Sequence, residues 1–113
     1  MHELSIAKNI LDIIKENGQR LNFSKVLEVK LKIGKLRAVD PGALDFCFQV
    51  ITKGTIADGA KLLVESTQVK GECRDCNAQF DIDNFYFVCP KCSGRKVETI
   101  GGNELQILDL EVE

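Results

Sequence analysis

The chain has no window approaching the roughly 20 consecutive apolar residues that span a bilayer, and no basic start followed by an apolar run. The expectation is a cytoplasmic protein that does not engage a membrane. It also lacks a surplus of positive charge: the formal net charge is -2, which argues against a nucleic-acid binder. Histidine occurs once, at His2, so the chain has no second histidine for the acid-base work of a zinc enzyme. Neither an internal repeat nor a low-complexity tract is present. What remains is 113 residues, enough for one domain or for one domain carrying a small metal-stapled lobe. Hydrophobic residues at 44% and charged residues at 28% are the ordinary globular mix, so a packed core is expected.

From Leu4 to Glu16 the apolar residues Leu4, Ala7, Leu11 and Ile14, flanked by Ile6, Ile10 and Ile13, recur at three- and four-residue steps. This predicts an amphipathic helix, with Asn17-Gly18 as its stop signal. Leu27, Val29, Leu31 and Ile33 alternate with charged residues, the period of a strand with one buried face, and Gly34 ends or bends it. Asp40-Pro41-Gly42 reads as a helix start, because Asp caps free amides and Pro suits the first helical position. Leu44, Cys47 and Ile51, flanked by Ala43, Phe46 and Val50, supply that helix with an apolar face, and Lys53-Gly54 closes it. A strand around Leu62 to Val69 follows, and the order strand, helix, strand favours a right-handed βαβ crossover. A last strand runs through Leu105, Ile107, Leu108, Leu110 and Val112, its alternation slipping at Ile107-Leu108.

Between Gly71 and Glu98 the texture changes to four cysteines, few aliphatic residues and a cluster of Phe80, Phe85, Tyr86 and Phe87. So short a segment has no core of its own and needs a staple. Cys73-Arg74-Asp75-Cys76 and Cys89-Pro90-Lys91-Cys92 are two Cys-x-x-Cys pairs with twelve residues between them. Two such knuckles complete a tetrahedral all-sulfur shell, which suits Zn(II). The gap is shorter than the commonest spacing of about fifteen to twenty residues, but a hairpin through Phe80 to Phe87 can span it. Two disulfides or a redox-active pair are the competing readings; against the second, neither pair follows a buried strand at a helix start. Four thiolates leave no open position, so the ion would be structural. Cys47, on the apolar helix face, reads as an inert core thiol. The predicted fold is α+β: a small mixed three-stranded sheet with two helices (1–70 and 99–113) and an inserted four-cysteine zinc-ribbon-like lobe (71–98).

His2 alone could be solvated, frayed chain. Placed second, however, its imidazole and backbone nitrogen can join the α-amine of Met1 in a planar chelate for Ni(II) or Cu(II). Its large side chain disfavours removal of Met1. Glu3 and Asp40 are candidate completing ligands.

The opening MHELSIAKNIL, the stretch KLKIGKLRAVDPGALDFCFQVITKGT, the segment GAKLLVES and the paired cysteines together resemble the hydrogenase nickel-incorporation factor family HypA. The resemblance implies a nickel metallochaperone, not an enzyme, for [NiFe]-hydrogenase maturation. Its implied partners are the GTPase HypB and the hydrogenase large subunit, with urease maturation proteins added in some members; the assembly is a monomer or homodimer. It implies nickel ligands at His2, Glu3 and Asp40, with Ni(II) as transferable cargo, and zinc ligands at Cys73, Cys76, Cys89 and Cys92. Some members carry histidines beside the cysteine pairs and this chain has none, so exchange of thiolate for imidazole at zinc has no ligand here. The alternative function is a zinc-ribbon nucleic-acid module. Against it, Lys70, Arg74, Lys91, Arg95 and Lys96 are matched by Glu72, Asp75, Asp81, Asp83 and Glu98.

Overall fold

The computed structural model describes residues 2–113. In chain order the elements are α1 (His2–Leu21), β1 (Val26–Gly34), a single 3-10 turn (Lys35–Arg37), α2 (Pro41–Ile51), β2 (Lys61–Thr67), β3 (Val69–Cys73), β4 (Gln79–Ile82), β5 (Val97–Gly101) and β6 (Leu105–Val112). They build an α+β fold with two three-stranded sheets, ordered β2-β1-β6 and β4-β3-β5. The first is the expected small sheet, with α2 connecting the neighbouring strands β1 and β2. No helix among the described residues is long and apolar enough to cross a membrane. The chain forms two compact units. One comprises residues up to Leu31, Val39–Glu65 and Gln106–Glu113; the other comprises Lys32–Ala38 and Ser66–Leu105.

In the first unit α1 packs against α2. The face that α1 buries is Ile6, Ala7, Ile10, Leu11, Ile14 and Gly18, whereas Ile13 is left exposed. The helix does not stop at Asn17-Gly18. Gly18 is there for close packing: a Cβ would come within 2.8 Å of the Ile56 side chain. The helix runs on to Leu21, and Asn22 takes the left-handed conformation (φ 59°) that ends it.

α2 begins where the Asp-Pro-Gly signal places it, with the Asp40 carboxylate accepting from the amides of Gly42 (2.9 Å) and Ala43 (3.3 Å). Its buried residues are Leu44, Cys47 and Phe48; Phe46 and Val50, expected on the apolar face, point to solvent. Phe48, fully buried, joins Ile14, Val26, Val29 and Leu31 in this unit's core. In β1 the fully buried end residue is Val26, while Leu27 is half-buried.

The second unit is built on β3, flanked by β4 and β5, both antiparallel to it. The single strand expected over Leu62 to Val69 is two strands in different sheets, separated by Gln68. The inward phase changes just before it, at Glu65-Ser66: Leu62 and Val64 are the less exposed residues early in β2, and Thr67 is already in step with Val69, Gly71 and Cys73, which face inward in β3. Gln68 marks the break by donating to the Ile82 carbonyl (3.0 Å) and the Asp83 carboxylate (2.8 Å). The expected hairpin through Phe80 to Phe87 is replaced by β3 and β4, which pair Val69 with Ile82 and Glu72 with Gln79 around the first cysteine knuckle.

Residues 32–38 complete this unit by a close backbone crossing. The Gly34 amide donates to the Glu104 carbonyl and the Leu36 amide to the Gly102 carbonyl, each at 2.8 Å. Any Cβ on Gly34 would overlap the Gly102 backbone. The Glu104 carboxylate accepts from the Thr67 hydroxyl (2.6 Å) and the Gly102 amide (3.0 and 3.1 Å). Those bonds, the hydroxyl's first, hold its pKa down at about 2. In β6 the less exposed residues are Leu105, Ile107 and Leu110, so its alternation slips just past Ile107 as the sequence pattern foretells.

Candidate metal centres

The two cysteine knuckles repeat one backbone design. In the first, the Cys73 amide donates to the Ala78 carbonyl (2.9 Å) and the Asn77 amide to the Cys73 carbonyl (2.8 Å). In the second, the Cys89 amide donates to the Gly94 carbonyl and the Ser93 amide to the Cys89 carbonyl, both at 2.9 Å. Each turn ends on a left-handed residue, Asn77 (φ 62°) or Ser93 (φ 60°). These two residues fix the turns and were not singled out from sequence; Asn following Cys76 was the available signal. Gly94 sits close against the site: a Cβ there would come within 2.8 Å of the Asp75 carboxylate, which would have to move, and 3.1 Å of the Cys92 sulfur.

The turns bring all four sulfurs within 4.8 Å of one another, with Cys73 to Cys92 at 3.5 Å and Cys76 to Cys89 at 3.6 Å. A disulfide would need about 2.05 Å, and all five cysteines are free. A tetrahedral ion with metal-sulfur bonds of about 2.3 Å would hold its sulfurs about 3.8 Å apart, so the two short pairs would open by a few tenths of an ångström and the wider ones would close around one ion. Cys73 and Cys89 are buried, Cys76 is half-buried and Cys92 is exposed.

The thiols differ in acidity. Burial pushes the Cys89 thiol up, but the amides of Cys92 (3.5 Å) and Lys91 (3.4 Å), with help from the neighbouring thiols, outweigh it and bring its pKa to about 7. At Cys92 the Gly94 backbone favours the thiolate, yet the crowded Cys73 and Cys76 sulfurs drive the pKa up to about 12. At Cys76 a backbone bond from Ala78 pulls downward, and burial together with the neighbouring thiols Cys89 and Cys73 leaves the pKa raised. Four thiolates this close repel, and only a cation at their centre lets all four ionise. This is a four-cysteine metal site. Cys47 is buried on α2 and is not one of the four. Around the site, Lys70 pairs with Asp81 at 2.5 Å, and Arg74 pairs with Glu72 at 3.3 Å and with Glu98. These pairs cancel charge that a phosphate backbone would need.

At the other candidate site, His2 is exposed and its Nε2 lies 3.2 Å from Oε2 of Glu3, whose side chain is only 12% exposed. The same Oε2 accepts from the Asp40 amide at 3.3 Å. The structure thus joins His2, Glu3 and Asp40 in one chain of contacts, with Asp40 entering through its backbone while its carboxylate caps α2. Met1, whose amine the sequence reading included, lies outside the described residues. Among those described, the four cysteines are the only group of three or more such side chains close enough to share an ion.

A family profile for hydrogenase/urease nickel-incorporation metallochaperones, HypA, matches residues 1–112. The hydrogenase maturation factor HypA of Geotalea uraniireducens is 44% identical over 113 residues, all of both chains. That of Geobacter sulfurreducens is 37% identical over the same span. Among solved structures, the solution structure of the Ni metallochaperone HypA from Helicobacter pylori superposes with a TM-score of 0.68 at 26% identity, covering 97% of this chain and 96% of that one. A second HypA solution structure gives 0.73 at 27% identity, covering 100% and 97%.

Proposed function

The chain belongs to the HypA family of nickel-incorporation metallochaperones, and from that premise we propose that it carries Ni(II) at its N-terminus and delivers it to the large subunit of a [NiFe]-hydrogenase. In this reading it is a binding and transfer protein of the cytoplasm, not an enzyme. The GTPase HypB is its working partner, and urease maturation proteins are further partners.

The observation that carries the reading is the convergence of His2, Glu3 and Asp40 at the start of α1. The first amides of a helix have no intrahelical acceptor, so those of His2 and Glu3 can bind an ion without breaking the helix ladder. Imidazole and amide nitrogens favour the tetragonal geometry of Ni(II). The positive end of the helix dipole opposes a bare cation but favours ligands that have lost protons, as amide nitrogens do on chelation. An exposed imidazole leaves the ion accessible for transfer, with Asp40 supporting the site from the start of α2.

The four cysteines, with no protein position left open, suit a structural Zn(II), whose role is to cross-link the two knuckles. Segments 1–70 and 99–113 then handle nickel, and 71–98 the zinc.

The test is a nickel titration of the untagged protein with its absorption spectrum. One Ni(II) per chain with a planar, diamagnetic spectrum is expected, lost in His2→Ala and on acidification while zinc stays bound in that variant. A His2→Ala protein with parental nickel affinity would place the cargo elsewhere.

A further inference from the structure

Asp83, Asn84, Phe85 and Tyr86 make a tight turn after β4. The Tyr86 amide donates to the Asp83 carbonyl (3.0 Å), and both central residues are left-handed, Asn84 at φ 52° and Phe85 at φ 57°. A turn of that form favours Asn followed by Gly. Here a bulky aromatic holds the glycine place in a backbone conformation it rarely adopts, and strain of this kind collects at ligand clamps and active sites. Core packing does not account for it, because Phe85 and Tyr86 are left 53% and 68% exposed.

Beside the turn lies a cavity of about 330 Å³, walled by Phe80, Tyr86, Val88 and Pro90 and bordered by Asp81 and Asp83, with no basic residue in its lining. Ligand sites run from about 300 to 1,000 Å³, so this one suits a single long side chain. Aromatic faces and carboxylates together attract a cation. Among side-chain cations the planar guanidinium alone can stack on a ring while its fork meets a carboxylate. The direction of the Asp83 carboxylate is already set: Gln68 Nε2 donates to its Oδ1 at 2.8 Å, and Gln68 Oε1 in turn accepts from Lys35 Nζ at 3.0 Å. Lys70 pairs with Asp81, but both partners are exposed, and such a pair exchanges at little cost.

We propose that the second unit recognises an arginine side chain on a partner protein, stacked against Tyr86 and paired with Asp83, in the cavity between β4 and the second cysteine knuckle. The strained turn then serves to hold Tyr86 out of the core and beside the carboxylate. This surface lies wholly within the second unit and does not rest on the nickel reading.

The test follows the amide spectrum of the full chain, loaded with Zn(II), during titration with the blocked tripeptide acetyl-Ala-Arg-Ala-amide. The control peptide has citrulline in place of arginine, which keeps the shape and removes the charge. Saturable shifts centred on Asp81 to Val88 are expected with arginine and not with citrulline. Tyr86→Ala should weaken binding roughly two- to fivefold, the factor that an exposed cation-π contact is worth, and Tyr86→Phe should retain it. Asp83→Asn should weaken it by a similar factor, about that of an exposed ion pair. Unchanged zinc content and unchanged amides outside the turn show that these variants stay folded. Equal affinity for the two peptides, parental affinity in Tyr86→Ala, or shifts spread over the acidic residues of β6 instead of the turn overturns the proposal. So does movement of the same amides with protein concentration alone, which would make a second copy of the chain the occupant.

Discussion

The two compact units solve the problem of staying folded in different ways. The first encloses a conventional core: Phe48, Ile14, Leu31, Leu44, Val26 and Val29 are fully buried around two packed helices and a sheet. The second buries little beyond Ile33, Val69, Ile82 and two of its own cysteines, Cys73 and Cys89. Hydrophobic burial sustains the one, and sulfur held at a common point sustains the other. On the function proposed above, an ion held by the four cysteines would secure one unit while the cargo ion comes and goes at the other.

The largest test of the contrast is to remove whatever ion the four cysteines hold. Replacing any of Cys73, Cys76, Cys89 or Cys92 by Ala, or stripping the metal with a chelator, should collapse the amide spectrum of the second unit, since structural Zn(II) sites contribute about 10–16 kcal/mol of apparent binding energy to folding. Amides of α1, α2 and β1 up to Leu31 should keep their native shifts. Uniform survival of both units would erase the distinction.

The reciprocal lesion is Phe48→Ala, which should destabilise the first unit by about 3–5 kcal/mol in denaturant unfolding and leave the metal content of the four-cysteine site unchanged. Concurrent loss of that metal would mean the units unfold as one.

A smaller effect belongs to Glu104 in the second unit. Its folded pKa of about 2 lies below its ordinary 4.5, so it adds stability above that ordinary value, and the contribution fades as pH falls from 4.5 towards 2. Glu104→Gln should flatten that stretch of the stability profile; an unchanged slope would show the Thr67 and Gly102 bonds to be weak in solution. The smallest effect should come from Cys47→Ala, which costs about 1 kcal/mol in the first unit and leaves the metal content of the four-cysteine site unchanged.

The sequence is readable where local chemistry decides. The four-cysteine site follows from spacing alone because two tight turns can bring four sulfurs to one point, and the start of α2 follows from a cap whose partners are two and three residues away. It is misleading where a distant contact decides. Gly18 looks like a helix stop until Ile56 is seen against it. The run Pro41–Ile51 is apolar on so many sides that periodicity cannot choose Phe48 over Phe46 and Val50 as the buried residue. The division of one apolar stretch into β2 and β3 turns on the partners of Gln68, which lie on Ile82 and Asp83. Asn77 and Ser93 carry no chemistry of their own, and their importance shows only in backbone angles.

The crossing of Gly34 over Gly102 bears on how such a chain can be inherited. The metal-stapled unit is completed by residues 32–38, borrowed from a part of the sequence some thirty positions before its main stretch, Ser66–Leu105. A gene fragment encoding only the later stretch would leave the Gly102 and Glu104 carbonyls without the Gly34 and Leu36 amides that now reach them. The cysteine region is therefore not a cassette that recombination can lift out and graft whole; the two stretches must be passed on together, with glycine kept at both sides of the crossing.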